Sequence, residues 1–432
     1  MNAERVPYEA PEERSGVCFG GFRPPKHVKR PWALTHGAPL SSLNQGDQRM
    51  DFTLSTEQKM IQDLCRNFVK NEVAPIAEEM DRTGQFPYDV WKKMGDLGIV
   101  GIPYPEKYGG GELDWLSMII AIEEISRGDA SLGASLLATV TLPMNLIHTF
   151  GTEEQKEKWL VPMATGEKIG AFGLTEPQAG SDASAIQTRA VLDGEEWVIN
   201  GTKQFITNAG LKHNSLVIIA AVTGEGESLR KKISNIIVPT GVGGYYFGQK
   251  YNKMGRRASE TRELIFDDCR VPKENILGNP EKGYAQFLMT LQTSRIGFAA
   301  HSVGLAQAIF DVSLAYSKER EQFGRPISKF EAIQFKLADM LIEIELARLM
   351  VYKAAWQKDQ GENYFATSSF AKLFASETAK RCADRGVQIH GGYGLMDEYP
   401  ISRYWREVKF EEILDGTSEI QRLNITKKVL KL

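Results

Sequence analysis

Leu414-Asp415-Gly416-Thr417-Ser418-Glu419-Ile420-Gln421-Arg422 places a single carboxylate just ahead of a helix start. Ser418 to Gln421 reads as a capping box, with Thr417 in the N-terminal turn. Hydroxyl donors at a helix N-terminus suit a phosphate, and the same dipole favours the charged form of Asp415. Such a carboxylate serves either as a base or merely as a cap. A second stretch, Gly173-Leu174-Thr175-Glu176-Pro177-Gln178-Ala179-Gly180-Ser181-Asp182, is small and hydroxylic. Its backbone N–H groups can close on a ligand, or it is an ordinary polar loop. In a third, Lys203 to Ala209, Phe205 and Thr207 share one face of a strand, which suits a flat ring system as well as sheet-core packing. The fourth, Gln388-Ile389-His390-Gly391-Gly392-Tyr393-Gly394, ends a helix in glycines that bare the backbone to an anion. His390 has no carboxylate in its motif and reads as structural.

The elements that carry these segments follow from periodicity. Ser55 to Gln58 is a capping box, and Ile61, Leu64, Cys65, Phe68 and Val69 recur at helical spacing behind it. Helical patterns continue over Tyr88–Leu97, Trp115–Ser126, Ser131–Phe150 and Glu154–Ala164. Between about Ala171 and Leu277 the punctuation changes. Asp193-Gly194 and Asn200-Gly201 read as hairpin turns beside Trp197–Asn200 and Gln204–Thr207, and Leu216–Val222, Ser234–Val238 and Leu264–Phe266 read as further strands. Long amphipathic helices then return over Ala285–Glu319, Ser328–Gln357, Tyr364–His390 and Ser418–Val429. Helices, a β unit and helices again, with no βαβ alternation, exclude a doubly wound parallel sheet.

A chain of 432 residues with 42% hydrophobic and 25% charged residues has the profile of a soluble globular protein of several domains. The net charge of −3 gives no basic surface for nucleic acid. Apolar stretches such as Asn214–Thr223 are too short for a membrane span. Cys18, Cys65, Cys269 and Cys382 form no CxxC pair, and the histidines at 27, 36, 148, 213, 301 and 390 lack metal-site spacing. No metal is expected, and a reducing compartment is. No GxxxxGK[ST] or strand-following GxGxxG is present. Six of the 18 prolines lie in residues 1–49, which read as a disordered extension or as sequence ahead of a natural start at Met50. The expected domains are 1–49, a helical 50–168, a β domain over 169–283 and a helical 284–432.

Taken together, Gly173–Asp182, Gly255-Arg256-Arg257-Ala258-Ser259-Glu260-Thr261, Arg320-Glu321-Gln322-Phe323-Gly324-Arg325-Pro326 and Gln388 to Glu407 resemble the acyl-CoA dehydrogenase family of flavoproteins over Met50–Leu432. The resemblance implies an α+β fold: an N-terminal helical domain, a central β-barrel-like or orthogonal β-sheet domain, and a C-terminal four-helix bundle. It implies FAD, an acyl-CoA substrate, removal of an α-proton by a carboxylate with hydride passing to flavin N5, and an electron-transfer flavoprotein as acceptor. By the same likeness Phe172, Leu174, Thr175, Gly180 and Ser181 line the flavin, Phe205 packs on its ring and Thr207 bonds near N5. Arg320, Phe323, Gln388, Gly391 and Gly392 match positions that hold pyrophosphate and adenosine, mostly across a subunit interface. Thr417 and Glu419 match positions near the FAD phosphate and ribose. Ser181, Arg295, Leu414, Asp415 and Gly416 match substrate positions. A homotetramer is implied, in the cytoplasm or, in a eukaryote, the mitochondrial matrix.

Asp415 departs from this pattern, because most relatives place a tyrosine–glutamate pair where this chain has Leu414-Asp415. Some branches carry the glutamate just before Arg295, where this chain has Ser294. Asp reaches about 1.5 Å less than Glu. The resemblance therefore points to an alicyclic acyl group of the cyclohexane-1-carboxyl-CoA kind. Short- or branched-chain acyl-CoA, a nitroalkane oxidase-like activity and a non-catalytic FAD- or acyl-CoA-binding protein are the alternatives.

Overall fold

The computed structural model describes residues 52–225 and 231–432; the expected extension over residues 1–49 lies outside them. Helix α1 (Thr56–Phe68) opens with the capping box read from sequence: Ser55 Oγ accepts the Gln58 N–H and Gln58 Oε1 accepts the Ser55 N–H. Helices α2 (Ala77–Thr83), α3 (Tyr88–Asp96), α4 (Trp115–Gly128) and α5 (Ala130–Phe150, with a wide turn at Val140–Met144) follow. Asp114 and Asp129 cap α4 and α5 through the N–H groups of Ser117 and Leu132.

The β unit is one sheet in the order β6-β7-β3-β2-β4-β5-β8, with β1 added beside β4. Its strands are β1 (Ile169–Gly173), β2 (Arg189–Asp193), β3 (Glu196–Thr207), β4 (Asn214–Glu225), β5 (Lys231–Pro239), β6 (Tyr245–Lys250), β7 (Thr261–Pro272) and β8 (Ile276–Leu277). The barrel-like expectation is corrected here: β6 and β8 stay at opposite ends of the path, so the sheet does not close. A single pairing, Arg189 with Val222, joins β2 to β4, too little to continue a barrel wall. A separate apolar core gathers Ile199, Val217, Ile219, Ile236, Val238, Leu264 and Phe266 within the sheet unit.

Asp193-Gly194 is the hairpin turn expected between β2 and β3, with Gly194 at φ +62°. Asn200-Gly201 is not a turn. It lies inside β3 at a bulge, where the pairing with β7 slips between Ile199 and Gly201. Gly201 takes φ +146°, a Cβ there would meet Thr188 at 2.6 Å, and Asn200 Oδ1 accepts the Asp268 N–H across the bulge. The Asn-Gly pair serves strand curvature instead of chain reversal.

The C-terminal part has three long helices, α6 (Gly283–Glu319), α7 (Glu331–Asp359) and α8 (Phe365–His390), followed by short α9 (Pro400–Val408) and α10 (Ser418–Ile425). Helix α7 starts later than the expected Ser328, which sits in a preceding single 3₁₀ turn, Ile327–Lys329. Helix α6 packs on α8, α7 and α4, so it is enclosed on all sides: every residue from Thr293 to Ala306 is buried. The expectation that the apolar stretches are too short for a membrane span is corrected here. Helices α5 and α6 are long and apolar enough to cross a bilayer, but the most apolar stretch of α5 is wholly buried and that of α6 is 67% buried within the protein. Both are central core helices, which read apolar all round for the same reason a span does.

Candidate active site

Asp415 sits in the turn between α9 and α10, with φ +55° followed by Gly416 at +89°. Left-handed backbone is tolerated by Asp better than by most side chains. The expected capping box at Ser418 does not form: Thr417 is the N-cap, its Oγ1 accepts the Ile420 N–H at 3.3 Å, and Ile420 at the third helical position has no side-chain acceptor to complete a box. Gln421 turns back instead, donating from Nε2 to the carbonyls of Gly416 at 2.9 Å and Asp415 at 3.3 Å. Asp415 therefore caps nothing. Its Oδ2 is buried without a hydrogen-bond partner.

The carboxylate faces α6 and α8. Burial pushes its pKa up to about 7, while Arg295, Lys372 and the Ser294 hydroxyl pull the other way. Ser294 lies beside it, though neither Ser294 Oγ nor Asp415 Oδ2 completes a hydrogen bond of ordinary geometry. Arg295 is 6% exposed, its Cζ lies 5.8 Å from the Phe365 ring centroid, and its Nε and Nη1 are unpartnered. A buried guanidinium with free N–H groups beside a desolvated carboxylate is prepared for a polar ligand. Lys372 was not found from sequence. It is wholly buried on α8 and donates from Nζ to the Gly416 carbonyl at 2.8 Å. The available signal was its register: Lys372 interrupts the small-residue face of Ser368, Ala371, Ala375, Ala379 and Cys382.

The Gly173–Asp182 loop is braced from beneath. Lys203 Nζ contacts Glu176 Oε1 at 2.7 Å and the Leu174 carbonyl at 3.2 Å, with both charged side chains buried. Glu176 also accepts the Gln187 and Thr188 N–H groups at 2.6 and 3.0 Å. Burial raises the Glu176 pKa, but Lys203 and these donors outweigh it and hold it below the ordinary value. The Gln204 N–H reaches the Thr175 carbonyl at 2.9 Å, so loop and strand move as one. Leu174, Thr175 and Thr207 are half-buried, while Gly180 and Ser181 stand exposed on the outer half of the loop. Phe172 stacks on Phe287 of α6 at 4.2 Å. Phe205 is 54% exposed at φ +59°, in a second bulge of β3, with Tyr251 at 4.9 Å. It is not packed in the sheet core, so an aromatic face is left over for a ring. The bulge also breaks the simple alternation expected to set Phe205 and Thr207 on one face.

A cavity of about 560 Å³ lies at the far end of α8, lined by Tyr316, Arg320, Gln322, His390, Gly391 and Gly392 among others. Gly391 has φ +62° and ψ −136°, a region essentially reserved for glycine, and a Cβ on Gly391 or Gly392 would meet nothing within 4 Å. Bare backbone beside a guanidinium suits a pyrophosphate. His390 is structural, as expected: Nδ1 bonds the Gly386 carbonyl at 2.8 Å and the ring stacks on Tyr316 at 4.3 Å. Gln388 is exposed on the last turn of α8, and Phe323 is 93% exposed on the small ribbon of Glu321–Gln322 and Arg325–Pro326. Thr417 is the N-cap already described, and Glu419 is exposed. Arg320, Gly391 and Gly392 thus come together, as do Asp415, Leu414, Gly416 and Arg295. The two groups stand apart: Lys372 and His390 are separated by about 27 Å along α8 at 1.5 Å per residue.

Three family models match the chain in order: the acyl-CoA dehydrogenase N-terminal domain over 55–167, middle domain over 171–269 and C-terminal domain over 281–430. The short-chain specific acyl-CoA dehydrogenase of Clostridium acetobutylicum is 46% identical over 382 residues, 88% of this chain and 100% of that protein. Butyryl-CoA dehydrogenase from Megasphaera elsdenii superposes with a TM-score of 0.85 at 43% identity, covering 88% of this chain and all of that one. A chain solved in work on the electron transferring flavoprotein of Acidaminococcus fermentans gives 0.86 at 45% identity, covering 89% and 100%.

Proposed function

We propose, for a chain that belongs to the acyl-CoA dehydrogenase family, FAD-dependent α,β-dehydrogenation of a short-chain acyl-CoA with Asp415 as the base. The enzyme class and the cofactor follow from membership. The substrate length and the residue roles are inference. Bound FAD supplies the hydride acceptor. Asp415 takes the α-proton as the β-hydride departs, the Cα=Cβ bond forms, and the carboxylate becomes a carboxylic acid. An α-proton beside a thioester is a poor acid in water, so the base must be desolvated, close and ionised. The observation that carries this reading is the buried, unpartnered Oδ2 of Asp415 between two cations.

The residues present fit FAD. Exposed Phe205 offers a ring face, the braced Gly173–Asp182 loop offers backbone and hydroxyl groups, and Arg320 with Gly391 and Gly392 offers an anion cradle. The distance between that cradle and Asp415 supports a cofactor held jointly by two protomers. An exposed apolar stripe on α7 (Phe335, Ile342, Leu346, Leu349, Trp356) supports the same homotetrameric assembly. An electron-transfer flavoprotein is the proposed acceptor.

The likenesses give no support to an alicyclic acyl group and favour the short-chain alternative. Anaerobic titration with butyryl-, octanoyl- and cyclohexanecarboxyl-CoA tests the choice through loss of flavin absorbance. Butyryl-CoA is expected to bleach the flavin fastest; preferential bleaching by the ring thioester would overturn the chain-length reading. Asp415→Ala is expected to abolish bleaching while leaving the FAD spectrum intact, and normal bleaching by that variant would remove Asp415 as the base.

A further inference from the structure

Lys372 is one of the two cations beside Asp415, and the dehydrogenation assigns it no step of its own. It stands on the buried face of α8, among Ser368, Ala371, Ala375 and Ser376, where a helix of this kind otherwise carries small side chains. Taking an ammonium out of water is costly unless something compensates. Its one hydrogen bond goes to a neutral acceptor, the Gly416 carbonyl at 2.8 Å. Among the described residues it forms no ion pair with a carboxylate. The compensation must therefore come in part from charge at longer range. The charged groups that face it are Asp415, Glu412 and Arg256 from the segments packed on it, and Arg295 from α6. Asp415 dominates the favourable part, and both arginines oppose.

The Gly416 carbonyl receives two donors, Lys372 Nζ and Gln421 Nε2. They approach from α8 and from α10, on either side of two consecutive left-handed residues, Asp415 and Gly416. A non-glycine residue in that region stores about 1–3 kcal/mol and persists only where its surroundings hold it. Gln421 supplies a neutral clamp. Lys372 supplies a clamp and a positive charge together.

We propose that Lys372 is a positioning residue for the dehydrogenation: it fixes the Asp415–Gly416 turn through the Gly416 carbonyl and keeps the base ionised through its charge. This rests on the reading of Asp415 as the base. The division of labour with Gln421 gives the inference its test. Removing either clamp loosens the turn, but only Lys372 acts on the protonation of the carboxylate. A nearby opposite charge lowers a carboxylate pKa, and Lys372 is one of the groups that pull that of Asp415 down. Loss of Lys372 therefore moves the acid limb of the kcat/KM profile to higher pH, because a proton is then held more tightly by Asp415.

The experiment is the pH dependence of kcat/KM for butyryl-CoA in FAD-replete Lys372→Gln, Lys372→Arg and Gln421→Met. Lys372→Gln is expected to move the acid limb up by about one unit or more, so that below the limb its rate falls a further tenfold relative to its own plateau. Lys372→Arg, which keeps the charge, is expected to leave the limb within a few tenths of a unit of the parent. Gln421→Met is expected to lower the plateau without moving the limb. An unmoved limb in Lys372→Gln overturns the proposal. Should that variant fail to fold, a limb displaced by a unit in Lys372→Arg overturns it as well. Asp415→Asn separates the two layers: if it retains turnover, the base assignment fails. If it is inactive while the Lys372 variants keep the parent limb, only the role of Lys372 fails.

Discussion

The desolvated state of Asp415 has a consequence for stability that is opposite to that of a salt-bridged or hydrogen-bonded acid. In the unfolded chain an aspartate ionises near pH 3.9; in the fold burial holds Asp415 to about 7. As pH rises past 4 the unfolded chain sheds this proton first, so the folded state loses stability progressively until about pH 7, above which the loss is complete. At 1.36 kcal/mol per unit the difference amounts to about 4 kcal/mol, and about half that once the partial exposure of the residue is counted. Asp415→Asn mimics the protonated side chain and escapes the penalty. At pH 8 it should unfold a few degrees above the parent when both are saturated with FAD, by roughly 2–4 kcal/mol. At pH 5.5 only about half of that gap should remain, because the unfolded chain has by then released its proton and the folded one has not. Differential scanning calorimetry at the two pH values measures this directly. A variant no more stable than the parent at pH 8, or a gap that ignores pH, would refute the claim that this carboxylate is held charged against its surroundings.

Further outcomes follow from the same contacts. Asp415→Glu pushes the carboxylate about 1.5 Å further into a space already closed by Ser294 and Arg295, and a misplacement near 1 Å costs on the order of a hundredfold; steady-state assays should show kcat/KM for butyryl-CoA lowered about ten- to hundredfold with FAD retained. Lys203→Met leaves Glu176 buried without its cation and should destabilise the protein by about 3 kcal/mol, with FAD lost more readily on gel filtration. Gly391→Ala forces a side chain into φ +62°, ψ −136° and should lower FAD occupancy, read from the ratio of flavin to protein absorbance, without reaching the Asp415 cluster. The kcat/KM of the parent should rise about tenfold per pH unit below an apparent pKa near 7 and then level, since only ionised Asp415 accepts the proton.

Much of the architecture could be read from residue periodicity, and the failures have a common cause. Helices α3, α6 and α8 were placed within two residues because their apolar spacing persists over many turns. Asn200-Gly201 was misread because the same dipeptide chemistry serves a turn and a bulge; only the partner strand decides, and here Asp268 on β7 supplies the bond that keeps the strand running. The open sheet was equally invisible, since closure depends on whether β6 meets β8 across the fold and not on any local pattern. In the functional segments, the glycines of Gly391-Gly392 carried their own signal because a left-handed residue needs no partner to be recognised.

The base region was legible only in part, and the missing part is the part that sets its chemistry. Asp415 and Arg295 stand out as residues in motifs. What determines the protonation of Asp415 is the burial around it and the lysine brought in from α8, 44 residues from Gly416 in sequence. Neither property belongs to the segment that bears the carboxylate. The same holds for the turn geometry: Thr417 takes the cap, which frees Gln421 to fold back on the Asp415–Gly416 carbonyls and frees the aspartate side chain for the α6 and α8 face. A helix cap would have been satisfied by an N–H and held at the low pKa of a hydrogen-bonded carboxylate. An aspartate released from capping, left-handed in backbone and placed between two cations with its Oδ2 buried is poised to take a proton near neutral pH. That the cap is Thr417 and not Asp415 is therefore what distinguishes a chemical aspartate from a structural one at this position.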